Sequence, residues 1–322
     1  MWTVWLNLSR PDANRKANAG VELSTRCLIL GVAQLRPMRR HHLKRLFKLL
    51  LMSMPERYAY AIFDTLCARY DLIGGIKSLP GGQAIEGSFR DFGVFVPLMR
   101  TGTYSGAADE LFDEYFKLSS HGTYIDIGAN VGITTIPYAL KHTWDFHAFE
   151  PDPDHFRRLQ CNLIRNGINR VRAYNVALYD KAGTLDLRKS PVNFGDYRLA
   201  VGASSEANNW KVTKVRTDML DNLLSVSALQ KPIIIKIDTQ GAEPFIWRGG
   251  KSVIAAADVV LTELDPHKIS EMGNDPMEFF DSLHAIFPNA KSKQRNAAEI
   301  RNWIAEVVTR GSKGFIDVLF RR

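Results

Sequence analysis

The segment Asp126-Ile127-Gly128-Ala129-Asn130-Val131-Gly132 directly follows the apolar run Thr123 to Ile127. It sets a carboxylate near the end of an expected strand and two glycines on the turn into a helix, as an open α/β sheet does where it holds a nucleotide-like cofactor. Glycine has no Cβ, so Gly128 is expected to let a ligand approach the backbone and Gly132 to let the next helix pack closely, with Asn130 on the same turn. Charge then discriminates between ligands. A dinucleotide's pyrophosphate would be repelled by Asp126, whereas the α-ammonium of S-adenosylmethionine (SAM) would be attracted. The third glycine and the spacing of G-x-G-x-x-G are also missing, which favours SAM over NAD.

Glu150 closes the next expected strand, 24 residues after Asp126, near the offset at which an acid accepts hydrogen bonds from both ribose hydroxyls. Pro151 biases it toward extended backbone, which aims it across the carboxyl edge of the sheet. Asn175-Val176-Ala177 ends a third strand and could offer an amide and backbone N–H groups to an adenine ring, although a turn asparagine has the same appearance. The second strong signal is Ile235-Lys236-Ile237-Asp238-Thr239-Gln240-Gly241-Ala242-Glu243, a buried strand ending in polar groups and a glycine. Asp238 should point into the crevice that opens there. Lys236, between isoleucines, must pair with a carboxylate or reach that crevice.

A sulfonium methyl is already activated, so the protein's main task is to hold an oxygen in line with it, worth about 7–11 kcal/mol. A hydroxyl acceptor also needs a general base, worth roughly 10²–10⁴-fold. Asp238 is the first candidate, serving cofactor and acceptor alike, with Glu243, Glu263 and His267 behind it. Glu243, just before Pro244, has an alternative as a first-turn helix acid. Asp238 with Glu263 or Asp265 could ligate a divalent metal, but strand-end carboxylates are common without one and no metal ligand is assigned.

These residues need a scaffold, and the hydrophobic pattern supplies one. Strands are expected at Tyr124 to Ile127, Asp145 to Phe149, Val171 to Val176, Ile233 to Ile237, Val259 to Thr262 and Phe315 to Phe320. Helices alternate with them near Ile133 to Lys141, Asp152 to Asn166, Pro244 to Ala257 and Asp275 to Ile286, after an amphipathic helix Ala107 to Leu118. Thr184 to Arg188 and Lys211 to Val215 are added strands around a polar loop, Ser190 to Trp210, placed to cover the acceptor crevice. The fold class is α/β, a Rossmann-like, mostly parallel seven-stranded sheet. Ala84 to Met99 alternates as strands do, after a helical stretch Pro55 to Tyr70, and forms a small β entry.

The N-terminal region differs in kind. Residues 1–37 lack periodicity and are expected to be a disordered extension, residues 38–83 a helical flank, and residues 84–322 the cofactor-binding domain. The net charge of +8 resides entirely in residues 1–55, where ten Lys and Arg face only Asp12 and Glu22. The core is therefore neutral and nucleic acid is not an expected partner. Leu43, Leu46, Phe47, Leu50 and Met54 share one helical face opposite Lys44, Arg45 and Lys48, so residues 38–54 could dock on their own domain or touch an anionic membrane peripherally. Cys27, Cys67 and Cys161 have neither disulfide nor zinc spacing, and no apolar run approaches the roughly 20 residues of a membrane span. A cytoplasmic protein is expected.

Four motifs in order, Asp126 to Gly132, Phe149-Glu150-Pro151, Asn175-Val176-Ala177-Leu178 with Gly183-Thr184-Leu185, and Ile235 to Glu243, closely resemble the FkbM-type SAM-dependent methyltransferases. The resemblance covers about Ala84 to Arg322, with Thr239 departing from the more usual Val or Cys. It implies a class I methyltransferase sheet, SAM-binding positions at Asp126, Gly128 and Glu150, and O-methylation of a sugar, glycan or natural-product hydroxyl. An NAD-dependent oxidoreductase and a nucleic-acid-binding module acting through the basic N-terminal segment are the alternatives.

Overall fold

The computed structural model describes residues 2–5, 74–78, 83–88, 91, 93–101, 108–191, 193–202 and 210–322. The expected extension, the basic helix at 38–54 and the helix at 55–70 therefore lie outside the described residues, apart from 2–5. Among the described residues, no helix is long and apolar enough to cross a membrane. The chain divides into two compact units, Met1–Tyr104 with Pro191–Gly195, and Ser105–Ser190 with Asp196–Arg322.

In the first unit, strands β1 (Trp2–Trp5), β2 (Gly74–Ser78) and β3 (Ala84–Gly87) form an antiparallel sheet in that order. The alternation expected as far as Met99 stops at Gly87, and Phe95–Thr101 is helix α1. Two facts override the alternation. Asp91 accepts the backbone N–H groups of Val94 (3.0 Å) and Phe95 (3.1 Å), which starts a helix. Val94, Phe95, Val96, Leu98 and Met99 are all buried, which no strand with one wet face allows.

The second unit opens with α2 (Ala108–Leu118), then runs β4 (Thr123–Ile127), α3 (Thr135–Lys141), β5 (Asp145–Phe149), α4 (Pro153–Arg165) and β6 (Val171–Tyr174). A small four-stranded sheet follows, built from β7 (Ala177–Leu178), β8 (Gly183–Lys189), β9 (Arg198–Leu199) and β10 (Lys211–Asp218), then α5 (Leu220–Leu223). The chain returns through β11 (Ile233–Ile237), α6 (Glu243–Gly249), α7 (Lys251–Ala256) and β12 (Val259–Leu264). It ends with α8 (Pro266–Glu271), α9 (Pro276–His284), β13 (Asn289–Lys291), α10 (Ala297–Arg310) and β14 (Ile316–Arg321).

The central sheet has seven strands in the order β13-β14-β12-β11-β4-β5-β6, with β14 antiparallel to both of its neighbours and the other six strands running in one direction. From β4 the chain builds outward in one direction through β5 and β6, then starts again on the other side with β11. The reversal between β4 and β11 is the switch point where a crevice opens outside the carboxyl ends of such a sheet. Ile233, Ile234, Ile235 and Ile237 are all at most 1% exposed, as a strand covered on both faces requires. On one face, Phe116 from α2 stacks on Tyr138 from α3 and packs against Tyr124 on β4, with ring centroids 4.7 and 5.9 Å away.

Where the structure departs from the expected elements, local capping accounts for it. The helix expected over Pro244 to Ala257 is broken at Gly250, which ends α6 and caps α7. The strand expected over Val171 to Val176 ends at Tyr174, and Ala177–Leu178 joins the small sheet. Helix α10, absent from the expected elements, begins in a capping box: Asn296 accepts from Ala298 and Glu299, and Glu299 reaches back to the Asn296 N–H. Replacing Asn296 with Ala should cost about 1 kcal/mol and lower the melting temperature by about 2–4 °C in a thermal melt; an unchanged midpoint would rule out the cap as a stabilising contact.

Candidate active site

In parallel register Asp126 on β4 lies beside Lys236 on β11. The strands' alternation sends both side chains to one face, and Lys236 Nζ stands 3.4 Å from Asp126 Oδ1. The other Asp126 oxygen accepts from the hydroxyls of Thr134 (2.5 Å) and Thr135 (2.6 Å) at the start of α3. Asp126 is fully buried, so it does not meet a ligand as expected. Its charge is spent on Lys236 and on the positive end of α3. Lys236 bridges onward to Asp238 Oδ2 at 3.5 Å, fulfilling its need for a carboxylate.

The glycine turn behaves differently from expectation as well. Gly128 is left-handed (φ +81°), and a Cβ there would fall 2.0 Å from the carbonyl oxygen of Asp238. What approaches this backbone is the turn after β11, not open space for a ligand. Gly132 (φ +91°) is hemmed in by Leu159 of α4 and Ile136 of α3, the close helix packing expected of it. Asn130 (φ +51°) donates its backbone N–H to Glu150 Oε2 at 2.9 Å, and the Asp152 N–H donates to Oε1 at 2.9 Å. Glu150 is thus fixed at the end of β5 against the glycine turn. Burial pushes its carboxyl up to about 8, opposed by those two N–H groups.

Asn175, an exposed residue, commits its amide nitrogen to the protein itself. Both available donations go to the carbonyls of Glu150 and Pro151, each at 2.9 Å, and Val176 is buried in the core. This pair therefore supports the Glu150 turn from behind. Beyond it, Asp152 caps α4 and binds Lys189 at 2.6 Å, while His155, 3.8 Å from Glu150, stacks on Tyr197 with centroids 4.6 Å apart. Within the segment expected to cover the crevice, Arg198 is buried on Asp196 (2.7 and 2.9 Å) and lies over the Trp210 ring.

Among the expected bases, Asp238 keeps its place at the edge, with its side chain 37% exposed. The other three have partners within the protein. Glu243 is 1% exposed and clamps the turn, accepting from the Thr239 N–H and hydroxyl on Oε1 and from the Gly241 N–H on Oε2, all at 2.8–2.9 Å. Burial pushes it up to about 7. His267 lies along its own helix, 3.7 Å from Glu271. Glu263 does share the site with Asp238, through Gln240, but burial and the Asp238 charge push it up to about 9, so it holds a proton at neutral pH. Asp265 caps α8 by accepting the Lys268 N–H.

Gln240, Lys268, Thr134 and Thr135 belong to this site without having been singled out from sequence. Asp317, opposite Glu263 on β14, adds a half-buried carboxyl, raised by partial burial and by Asp238. Among the described residues no cluster of His, Cys, Asp and Glu is arranged to hold a metal ion.

The strand order, with its reversal between β4 and β11 and with Glu150 and Asp238 at the strand ends beside it, defines a Rossmann-like α/β domain. Residues 126–309 match the methyltransferase FkbM domain, more than half of the chain, and the chain belongs to that family. It is 25% identical over 151 residues to the hexuronic acid methyltransferase AglP of Haloferax volcanii, a match spanning 46% of this chain and 59% of that one. It is 27% identical over 160 residues to the 2-O-methyltransferase NoeI of Sinorhizobium fredii, spanning 46% of this chain and 65% of that one. The chain thus spans less than two thirds of the length of either relative. A solved O-methyltransferase from Bacillus cereus in complex with SAH is similar at 12% identity and a TM-score of 0.36, over 68% of this chain and 82% of that one. P. horikoshii TYW2 in complex with MeSAdo is similar at 13% identity and a TM-score of 0.36, over 82% of each. The strand order, and not these distant likenesses, defines the fold.

Replacing Lys236 with Met should cost about 3–5 kcal/mol in chemical denaturation, because Asp126 is left charged and buried. Adding Asp126→Asn should recover most of that loss. A single variant as stable as the parent would show that the pair is not what neutralises Asp126.

Proposed function

We propose that this chain is a SAM-dependent O-methyltransferase whose acceptor is a sugar or glycan hydroxyl. The observation that carries it is Glu150, whose carboxylate is held by two backbone N–H groups beside the glycine turn, where a ribose diol can donate to it. Family membership supports methyl transfer, and the sugar acceptor follows from the relatives named hexuronic acid methyltransferase and 2-O-methyltransferase. The preference over a dinucleotide no longer rests on Asp126 touching an ammonium. It rests on what a pyrophosphate lacks: the positive end of α3 is already answered by Asp126, and Lys236 is engaged between two carboxylates.

SAM, when bound, supplies a methyl group on a positively charged sulfur. Glu150 would hold the ribose, with the Asn130 end of the glycine turn beside it. Asp238 would take the acceptor's hydroxyl proton as the methyl group passes from sulfur to oxygen, because its side chain is partly exposed at the edge, whereas Glu263 is buried and pushed toward its protonated form. Lys236 Nζ stands 3.5 Å from Asp238 Oδ2 and helps to hold that carboxylate in place.

Calorimetric titration with SAM, SAH and NAD tests this. SAM and SAH should bind, NAD should not, and Glu150→Ala should weaken SAM by about 10–100-fold through loss of charge-assisted hydrogen bonds. Binding of NAD in their place would overturn it. The sign of the pH dependence follows from Glu150: in the free protein it holds its proton below about 8, and a diol donating two hydrogen bonds selects the ionised form. SAM affinity should therefore rise as pH climbs toward 8 and level off above it, with a proton released at pH 7, measured as a dependence of binding heat on buffer ionisation enthalpy.

A further inference from the structure

Gln240 sits between the two strand-end carboxylates in a left-handed backbone conformation (φ +61°) that non-glycine residues seldom adopt. Its side chain is the reason for tolerating it. A single amide nitrogen, Nε2, donates to Asp238 Oδ1 at 2.9 Å and to Glu263 Oε1 at 2.9 Å. The amide oxygen accepts from Lys268 Nζ. An ammonium can only donate, so Lys268 fixes which end of the amide faces the carboxylates. Lys268 is itself held by Asp196 and Asp265, each at 3.5 Å.

We propose that Gln240 is a positioning residue for the reacting carboxylate: with its direction set by Lys268, it ties Asp238 to Glu263 and aims Asp238 at the acceptor hydroxyl. This rests on the methyl-transfer function proposed above. A neutral two-proton donor suits the place better than an acid or a base. It bridges two acids and adds no charge of its own to a crowded edge. Lys236 and Gln240 touch Asp238 directly, while Glu263, Glu243 and Asp317 feel its charge. Lys268, Glu243 and Asp265 face Glu263.

Gln240→Gly removes the amide and keeps the left-handed backbone free of strain, and Gln240→Glu keeps the shape while replacing the donor with an acceptor. Both should lower kcat about tenfold or more, with the SAM Kd within about twofold of the parent, and move the acidic limb of the kcat/KM profile to higher pH. In cofactor-free protein carrying ¹³C-labelled carboxyl groups, the Glu263 resonance should titrate at a different pH in either variant than in the parent. An unchanged profile and an unchanged Glu263 titration would overturn the proposal, as would a loss confined to KM. If Gln240→Gly does not fold, Gln240→Glu decides by the same measurements. If the parent transfers no methyl group the proposed function fails, and the carboxyl titration still decides whether Gln240 couples the two acids.

Discussion

The ion pair between Asp126 and Lys236 is the constraint on which the site depends. Two charges are buried between neighbouring parallel strands at the point where the chain reverses its direction of growth across the sheet. Neither charge is tolerable alone in that place. Together they settle the environment of everything around them. Asp126 receives the threonine hydroxyls that open α3, and Lys236 extends to Asp238, so the turn after β4 and the turn after β11 share one electrostatic unit. The carboxylates further out depend on this unit. Burial raises both Glu150 and Glu263, and the charge of Asp238, held beside Lys236, raises Glu263 further.

Much of the scaffold was legible because burial on both faces leaves a plain trace. Asp145 to Phe149 and Ile233 to Ile237 are strands with the ends their apolar runs suggest. The helix after Glu150 was equally readable, since Asp152 and Pro153 form a cap and a first-turn proline. Helix α10 carried its own signal, Asn296 three residues before Glu299 and then Ile300, Ile304 and Val307 on one face, and went unrecognised beside a stretch rich in charge. Helix α8, six residues long, has too little periodicity to be read at all. The segment Ala84 to Met99 misled because alternation in short windows does not distinguish a strand from a helix buried on most sides.

The site was legible as a set of residues and not as a set of roles. Asp126, Glu150 and Asp238 all stand at the sheet edge, as their strands require. Whether each faces a ligand or a neighbour depends on strand order, and the adjacency of β4 and β11 is not written in either segment. That adjacency turns Asp126 inward and brings the Asp238 carbonyl onto Gly128. Glu243 and Asn175 were likewise candidates for chemistry that the backbone claims first, because unpaired N–H and C=O groups in tight turns must be satisfied somewhere. Gln240 was invisible for a related reason: its importance comes from a backbone angle and from Lys268, 28 positions further along the chain.

The contact between Gly128 and the Asp238 carbonyl has a consequence for how such a domain can diversify. Two loops that touch main chain to main chain cannot be exchanged independently, because any insertion that lifts one of them unseats the other. Variation at this edge is then left to elements outside that junction, such as α8, whose Lys268 reaches Gln240 from the side. A breeder of altered specificity would do well to leave both turns untouched and graft only what overhangs them.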